Sequence, residues 1–242
     1  MKVSVIVPAF NEEAGLGASL GSIRSATGAF DRLGWSSELI VCDNNSTDRT
    51  AEVARAAGAT VVFEPKNQIA RARNTGAAHA TGDWLVFIDA DSHPSERLFA
   101  DIAEAIASGR CLAGGSTIAL DRAPALVRAV AGAWNVVSRV TRWAAGSCIF
   151  CEAITFSRLG GFSEELYASE EIELCRRLKR IARRDGRTLV IVHRHPLRTS
   201  GRKARLYSWR EITVFCLKTI IGGGRTLRSA EECFPWYDGR RD

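Results

Sequence analysis

The sequence predicts an α/β fold with a mostly parallel central sheet and helices on both faces. Three observations carry that expectation. Short, continuous apolar runs alternate with helix-like segments over residues 2–88. The runs are rich in Val and Ile, as strands buried on both faces are. An acidic or amide cluster follows directly on three of them, at the strand ends where such sheets bind ligands.

The elements follow in order. Residues 2–7 (KVSVIV) read as a strand that Pro8 ends, and Asn11 is placed to cap a helix opening with Glu12 and Glu13. Residues 38–42 (ELIVC) form a second strand running into Asp43, and 46–57 a helix with an early Asp48. Residues 60–63 are a third strand, 68–80 a helix ending at Thr81-Gly82, and 84–88 (WLVFI) a fourth strand ending at Asp89. Further on, 96–107 is helical and 112–120 a strand. Residues 125–143 are amphipathic, 146–151 a strand, 170–184 a strong helix and 188–192 a last strand. Residues 206–221 read as a final amphipathic helix before the break at 222–224. The segments Pro8–Glu12, Asp43–Asp48 and Asp89–Asp91 should therefore line one crevice.

The 242 residues are 46% hydrophobic and 25% charged, enough for a sizeable core. Net charge is +6 but uneven: residues 1–175 carry 15 Lys and Arg against 21 Asp and Glu, residues 176–242 carry 18 against 6. The basic C-terminal third points to an anionic partner: a diphosphate, a lipid phosphate, a membrane surface or nucleic acid. Seven cysteines without disulfide spacing fit reduced thiols and a cytoplasmic protein. Cys148 and Cys151 form a C-x-x-C with no second pair, and read as buried structural residues. No signal peptide and no run of about 18 apolar residues is present, so membrane contact would be peripheral.

Asp89-Ala90-Asp91 is the first chemical feature. In an extended segment, residues two apart point the same way, so both carboxylates can face one hard cation, Mg²⁺ or Mn²⁺, completed by substrate phosphates. A solvated turn would carry the same pattern. The order of the surrounding motifs adds to it: VSVIVPAFNEE, VCDNNSTDRT, ARNTGA, FIDAD, then LGGFSE at 159–164 and SEEIELCRRL at 169–178. Over residues 3–195 this sequence resembles the family 2 inverting glycosyltransferases of the GT-A fold, the nucleotide-diphospho-sugar transferase-like architecture.

The resemblance implies roles residue by residue. Pro8, Ala9, Asn11 and Glu12 match the first nucleotide-binding segment, and Asp43 the acid that contacts the base. Arg73 matches a basic donor-pocket residue, Asp89 the residue near ribose and sugar, and Asp91 the metal ligand. Glu170 and Glu171 match the acidic pair whose second member is the catalytic base, which would take the proton of the acceptor hydroxyl in a single displacement. Glu at 171 and 173, where Asp is usual, is a departure, as is Asn44 in place of a second Asp. His193 follows a strand near where some members have a metal-binding His. Processive members carry Q-x-x-R-W after the acidic pair; here Arg139-Val-Thr-Arg142-Trp143 precedes it, and that role is not carried over.

Arg198 and Arg202 suit a diphosphate or a phosphorylated acceptor. Trp134, Trp143 and Trp209 could stack on a sugar, with core packing the default. The organisation implied is a donor and metal half at 1–120, an acceptor half at 121–205 and a basic C-terminal helix and tail at 206–242. The donor would be a nucleotide-diphosphate sugar and the acceptor an open choice that includes phosphate-bearing and lipid-linked molecules. A homodimer through the last helix is compatible, and no nucleic-acid motif is present. Two other classes stand beside this reading. A nucleotidyltransferase would need a Gly-rich loop where PAFNEE stands; a non-catalytic nucleotide-sugar-binding scaffold would retain donor binding without turnover.

Overall fold

A computed structural model describes residues 1–121, 123–201 and 224–233, with the isolated positions 211, 214, 218 and 237. Eight strands form one sheet: β1 Lys2–Ala9, β2 Ser36–Asp43, β3 Thr60–Phe63, β4 Trp84–Ile88, β5 Ser92–His93, β6 Cys111–Asp121, β7 Cys148–Glu152 and β8 Thr188–Ser200. Among the described residues seven α-helices accompany them: α1 Leu16–Asp31, α2 Thr50–Ala56, α3 Ile69–Ala78, α4 Glu96–Ala107, α5 Ala125–Thr141, α6 Ala153–Arg158 and α7 Glu170–Arg184.

The strand order is β3-β2-β1-β4-β7-β6-β8-β5. Pairs β3–β2, β2–β1, β1–β4 and β6–β8 are parallel; β7 is antiparallel to both neighbours, and β5 to β8. The expected mostly parallel sheet is present, with its direction reversed at β7.

Strand alternation sorts the core into two layers. Val3, Val5 and Val7 of β1 join Leu20, Phe30, Phe99 and Phe150 on the α1/α4 face. Ile6 joins Phe87, Phe156, Phe162, Leu174 and Leu178 on the α3/α6/α7 face. Cys148 belongs to the first layer and Cys151 to the second, so the C-x-x-C pair straddles the sheet. Burial pushes the Cys148 thiol up to about 12. The structural reading of these cysteines stands.

Three local expectations are corrected. Pro8 does not end its strand, which runs on to Ala9 in register with Asp43. Lacking an amide proton, Pro8 instead lies beyond the β1–β4 ladder, which stops at Ile6–Phe87 and leaves the two strand ends unzipped. Asn11 does not cap a helix: α1 starts at Leu16, and Asn11 has φ 49° and its amide oxygen accepts from the Thr47 amide at 2.8 Å. The last strand does not stop at Val192 but continues to Ser200. The expected helix at 206–221, with Trp209, lies outside the described residues. Among the described residues no helix is long and apolar enough to cross a membrane.

Candidate active site

The strand-end loops of β1 and β2 are bonded to each other. The Asn11 amide donates to Ser46 Oγ at 3.0 Å, the Glu12 amide to Thr50 Oγ1 at 2.8 Å, and the Asn44 amide to Ala9 O at 2.8 Å. Asp43 is buried and its Oδ1 accepts from the Ser46 amide at 3.0 Å, which folds its own loop back beneath it. Pro8, Ala9, Asn11, Glu12 and Asp43 are thus held together at the adjoining ends of β1 and β2.

Asn44, the departure from an acidic pair, has a structural cause. Its Nδ2 donates to Glu64 O at 3.2 Å and Lys66 O at 2.7 Å, while its Oδ1 accepts from the Gln68 amide at 2.9 Å. Only an amide side chain supplies donors and an acceptor together.

Arg73 is the centre of a buried charged cluster. It is 1% exposed and lies on α3. Its Nη1 donates to Glu170 Oε1 at 2.6 Å, and its Nη2 to Asp89 Oδ1 at 2.9 Å and to Gly146 O at 2.8 Å. Its guanidinium carbon sits 5.2 Å from the centre of the Phe162 ring. A buried cation tethered to two carboxylates and a carbonyl is held rigidly. Three distant segments therefore meet on one side chain.

Glu171 stands beside this cluster. Its carboxyl is pushed up to about 8, first by burial and then by the neighbouring negative charge of Glu170, against the pull of Arg73. Gly146 packs against both: a Cβ there would lie 3.4 Å from Arg73 Nη2 and 3.7 Å from Glu171 Oε1, ordinary contact, so what this residue supplies is its carbonyl.

The Asp89–Asp91 segment is a tight turn rather than an extended strand. The Ser92 amide donates to Asp89 O at 3.0 Å, closing it. Asp89 is engaged by Arg73; Asp91 Oδ1 is 3.5 Å from Thr199 Oγ1, and its carbonyl accepts from the Ser200 amide at 3.2 Å. Among the described residues no three His, Cys, Asp or Glu side chains converge at metal-ligand distance. Two turn carboxylates nevertheless fit a Mg²⁺- or Mn²⁺-type ion, which takes one or two protein carboxylates and fills its shell with phosphate oxygens and water.

Other expected residues are not brought in. His193 is exposed, its Nδ1 3.3 Å from Ile191 O, in the stretch of β8 that leaves the β6 ladder between Val192 and Leu197. Arg198 is a strand residue, not a loop residue, and its guanidinium is paired with Asp121 at 3.2 Å. Arg202 lies outside the described residues.

Residues that sequence reasoning missed hold the two motif halves together. Asn74 Nδ2 donates to Phe162 O at 3.0 Å and Asn74 Oδ1 accepts from the Phe162 amide at 2.9 Å. Gln68 Nε2 donates to Glu164 O at 2.7 Å and Leu166 O at 3.0 Å. Tyr237, near the end of the chain, stacks edge-on to Tyr167 and accepts from the Ile69 amide at 3.2 Å. Gln68 lies just ahead of the A-R-N motif and Asn74 is its last residue, but nothing in their spacing shows a partner some 90 residues away.

The fold and part of the sequence have counterparts among known proteins. The fold resembles Staphylococcus aureus TarS (residues 1–349), with TM-score 0.63 and 17% identity over 100% of this chain and 73% of that one. It also resembles glucosyl-3-phosphoglycerate synthase of Mycobacterium tuberculosis in complex with Mn²⁺, UDP and glucosyl-3-phosphoglycerate, with TM-score 0.58 and 19% identity over 91% and 80%. An Escherichia coli relative, UDP-Glc:alpha-D-GlcNAc-diphosphoundecaprenol beta-1,3-glucosyltransferase WfgD, is 34% identical over 93 residues, 37% of this chain and 34% of that protein. The matched stretch spans about a third of the length of such curated relatives. The sequence model described as Glycosyl transferase family 2 matches residues 4–129, more than half of the molecule. The chain belongs to glycosyl transferase family 2.

Proposed function

We propose that this chain is a metal-dependent inverting glycosyltransferase that moves a sugar from a nucleotide diphosphate to an acceptor hydroxyl. The carrying observation is the Arg73 cluster, which sets Asp89 of the donor side against Glu170 and Glu171 of α7. Residues 1–120 would supply the donor wall and 121–205 the acceptor side. Because TarS and the mycobacterial synthase are seen with UDP, uridine nucleotides are the first donors to test.

In this reading Asn11, Glu12 and Asp43 hold the nucleoside, with the main chain of Pro8 and Ala9 at the open strand ends. Asp91, with Asp89 beside it, would hold the divalent ion. That ion would neutralise charge developing on the departing diphosphate. Glu171 accepts the proton of the acceptor oxygen as that oxygen bonds to the anomeric carbon and the bond to the diphosphate breaks. Its raised proton affinity makes it a stronger base than an ordinary carboxylate. Glu170 does not share that task, because Arg73 engages it. Arg73 in turn fixes α7 relative to the donor turn, which sets the line of attack.

The test is thermal stabilisation by UDP, GDP and dTDP with and without Mn²⁺, alongside Asp91→Ala. A ligand that binds only the folded state raises the melting point by mass action. The expected result is a Mn²⁺-dependent shift with one nucleotide, lost in Asp91→Ala. No shift with any nucleotide would overturn the reading.

A further inference from the structure

Glu171 reaches its place without an ion pair of its own. Arg73 bonds Glu170 and Asp89 directly, whereas among the described residues no cation pairs with Glu171. Three carboxylates thus share one guanidinium, and Glu170 and Asp89 repel the Glu171 carboxylate. The aim of Glu171 is therefore set by the backbone that opens α7. That backbone is strained: Ser169, the residue ahead of Glu170, has φ 64° and ψ 17° and makes no side-chain cap. A left-handed serine persists only where its surroundings enforce it.

The enforcing contacts come from the C-terminal segment. Tyr167, two residues ahead of Ser169, donates its amide to Leu227 O at 2.7 Å, and Glu165 pairs with Arg228 at 3.4 Å. Leu227 and Arg228 belong to a one-turn 3₁₀ helix, Arg225–Arg228, whose Thr226 carbonyl accepts from Cys233 Sγ at 3.4 Å. Cys233 is fully buried, and its thiol is pushed up to about 11 by burial and then by the negative charge of Glu170, so this segment lies close to the cluster. The Tyr237 ring meets the Tyr167 ring edge-on, with centres 5.3 Å apart.

Tyr237 also reaches the other half of the cluster. The amides at the start of a helix have no partner within it. At the start of α3 both partners come from elsewhere in the chain: the Gln68 amide donates to Asn44 Oδ1 at 2.9 Å, and the Ile69 amide to Tyr237 Oη at 3.2 Å. Arg73 lies one turn further along the same helix. Burial holds the Tyr237 phenol above its usual value, so it stays neutral, with the charges of Glu170 and Arg73 both acting on it. One side chain therefore touches the helix that carries Arg73 and the loop that delivers Glu170 and Glu171.

We propose that Tyr237 is a positioning residue for sugar transfer. Through its hydroxyl on the start of α3 and its ring on Tyr167, it fixes α3 relative to α7 and so sets the aim of Glu171. The proposal deepens the glycosyltransferase reading and rests on it. Tyr237 takes no proton in this role; it acts through Glu171, which it holds in place against the repulsion of the neighbouring carboxylates.

The experiment compares the full chain with Tyr237→Phe, which keeps the ring and removes the hydroxyl, and with Tyr237→Ala. The probes are UDP, UDP-glucose and UDP-N-acetylglucosamine with Mn²⁺, and the rate is UDP release to water at saturating donor. Tyr237→Phe should lose at least about threefold in that rate and Tyr237→Ala at least about tenfold, with UDP affinity within about twofold of the parent's. Amide hydrogen exchange should quicken at the start of α3 and across residues 165–171 in both variants. A Tyr237→Phe rate equal to the parent's overturns the proposal, as does a loss that weaker UDP binding accounts for in full. Should Tyr237→Ala show no melting transition, Tyr237→Phe decides alone by the same criteria. UDP-dependent stabilisation of the same samples separates this role from the donor assignment. If the parent binds and releases UDP and Tyr237→Phe does so at the same rate, the positioning role alone fails. If exchange quickens as expected but the parent neither binds UDP nor releases it from either sugar, the contacts hold and the glycosyltransferase reading fails, taking the role with it.

Discussion

Arg73 Nη1 and Glu170 Oε1 meet at 2.6 Å with side chains 1% and 4% exposed, a buried ion pair made across 97 residues of sequence. Such a pair adds little net stability, but breaking it leaves a bare charge in the interior. Arg73→Ala should therefore cost about 3–5 kcal/mol in denaturant unfolding. Arg73→Lys should fare better in stability yet lose turnover, because an ammonium cannot span Glu170, Asp89 and Gly146 O together. An Arg73→Ala protein as stable as the parent would contradict the buried pair.

Glu171→Gln should lower turnover by about 10²–10⁴-fold while leaving UDP binding intact. In the parent, kcat/KM should rise with pH through about 8 as the Glu171 carboxyl ionises. A pH–rate profile that is flat between 6 and 9, at about constant donor affinity, would place the base elsewhere.

The same group makes a prediction about stability, with its sign fixed by the direction of the shift. Folding raises the Glu171 carboxyl above its ordinary value of 4.5, so the native state holds that proton more tightly. The resulting stabilisation is complete below the ordinary value and is lost as pH rises towards about 8. Urea unfolding of Glu171→Gln should show a flatter dependence over that window than the parent.

Asn44→Asp should destabilise by about 1–3 kcal/mol, since a carboxylate would face two carbonyl oxygens it cannot donate to. A melting point equal to the parent's would show that the side chain is not the staple its bonds describe.

Gly161→Ala should be worse than an ordinary surface change. Gly161 has φ 73°, and a Cβ there would lie 2.5 Å from Asn74 Oδ1, the atom that accepts from the Phe162 amide. The left-handed backbone costs an alanine about 1–2 kcal/mol before the clash is counted. Both stability and kcat should fall, because Phe162 carries the ring beneath Arg73.

Much of the fold was legible because its strands are continuous apolar runs. β3 and β4 coincide with the runs at 60–63 and 84–88, and α4 and α7 with 96–107 and 170–184. What failed was local chemistry that depends on partners. Pro8 sits in a strand because its missing donor falls on the side where the ladder has already ended. Asn11 looked like a helix cap because Glu12 and Glu13 follow it, but the competing bond to the Thr47 amide won. At the site, Arg73, Asp89, Glu170 and Glu171 were nameable from motifs, and the structure gathers all four. Their connection was not legible, since it runs through Gly146 O and through Asn74 to the 159–166 loop, contacts with no sequence periodicity. His193 shows the converse: a residue type that suits a metal after a strand, yet exposed and, among the described residues, in no group of three ligating side chains.

The reversal of direction at β7 also bears on how the chain is made. β4 is apolar at all five positions and occupies the middle of the finished sheet, yet its neighbour on one side is β7, whose Cys148 pairs with Ile88 sixty residues downstream. While a ribosome delivers those intervening residues, at roughly 5–20 per second, Trp84–Ile88 presents an open hydrophobic edge for several seconds. Nascent chains should therefore be most prone to sticking to one another in that interval, and most in need of a holding chaperone. The hazard should end when a single short strand slides into place.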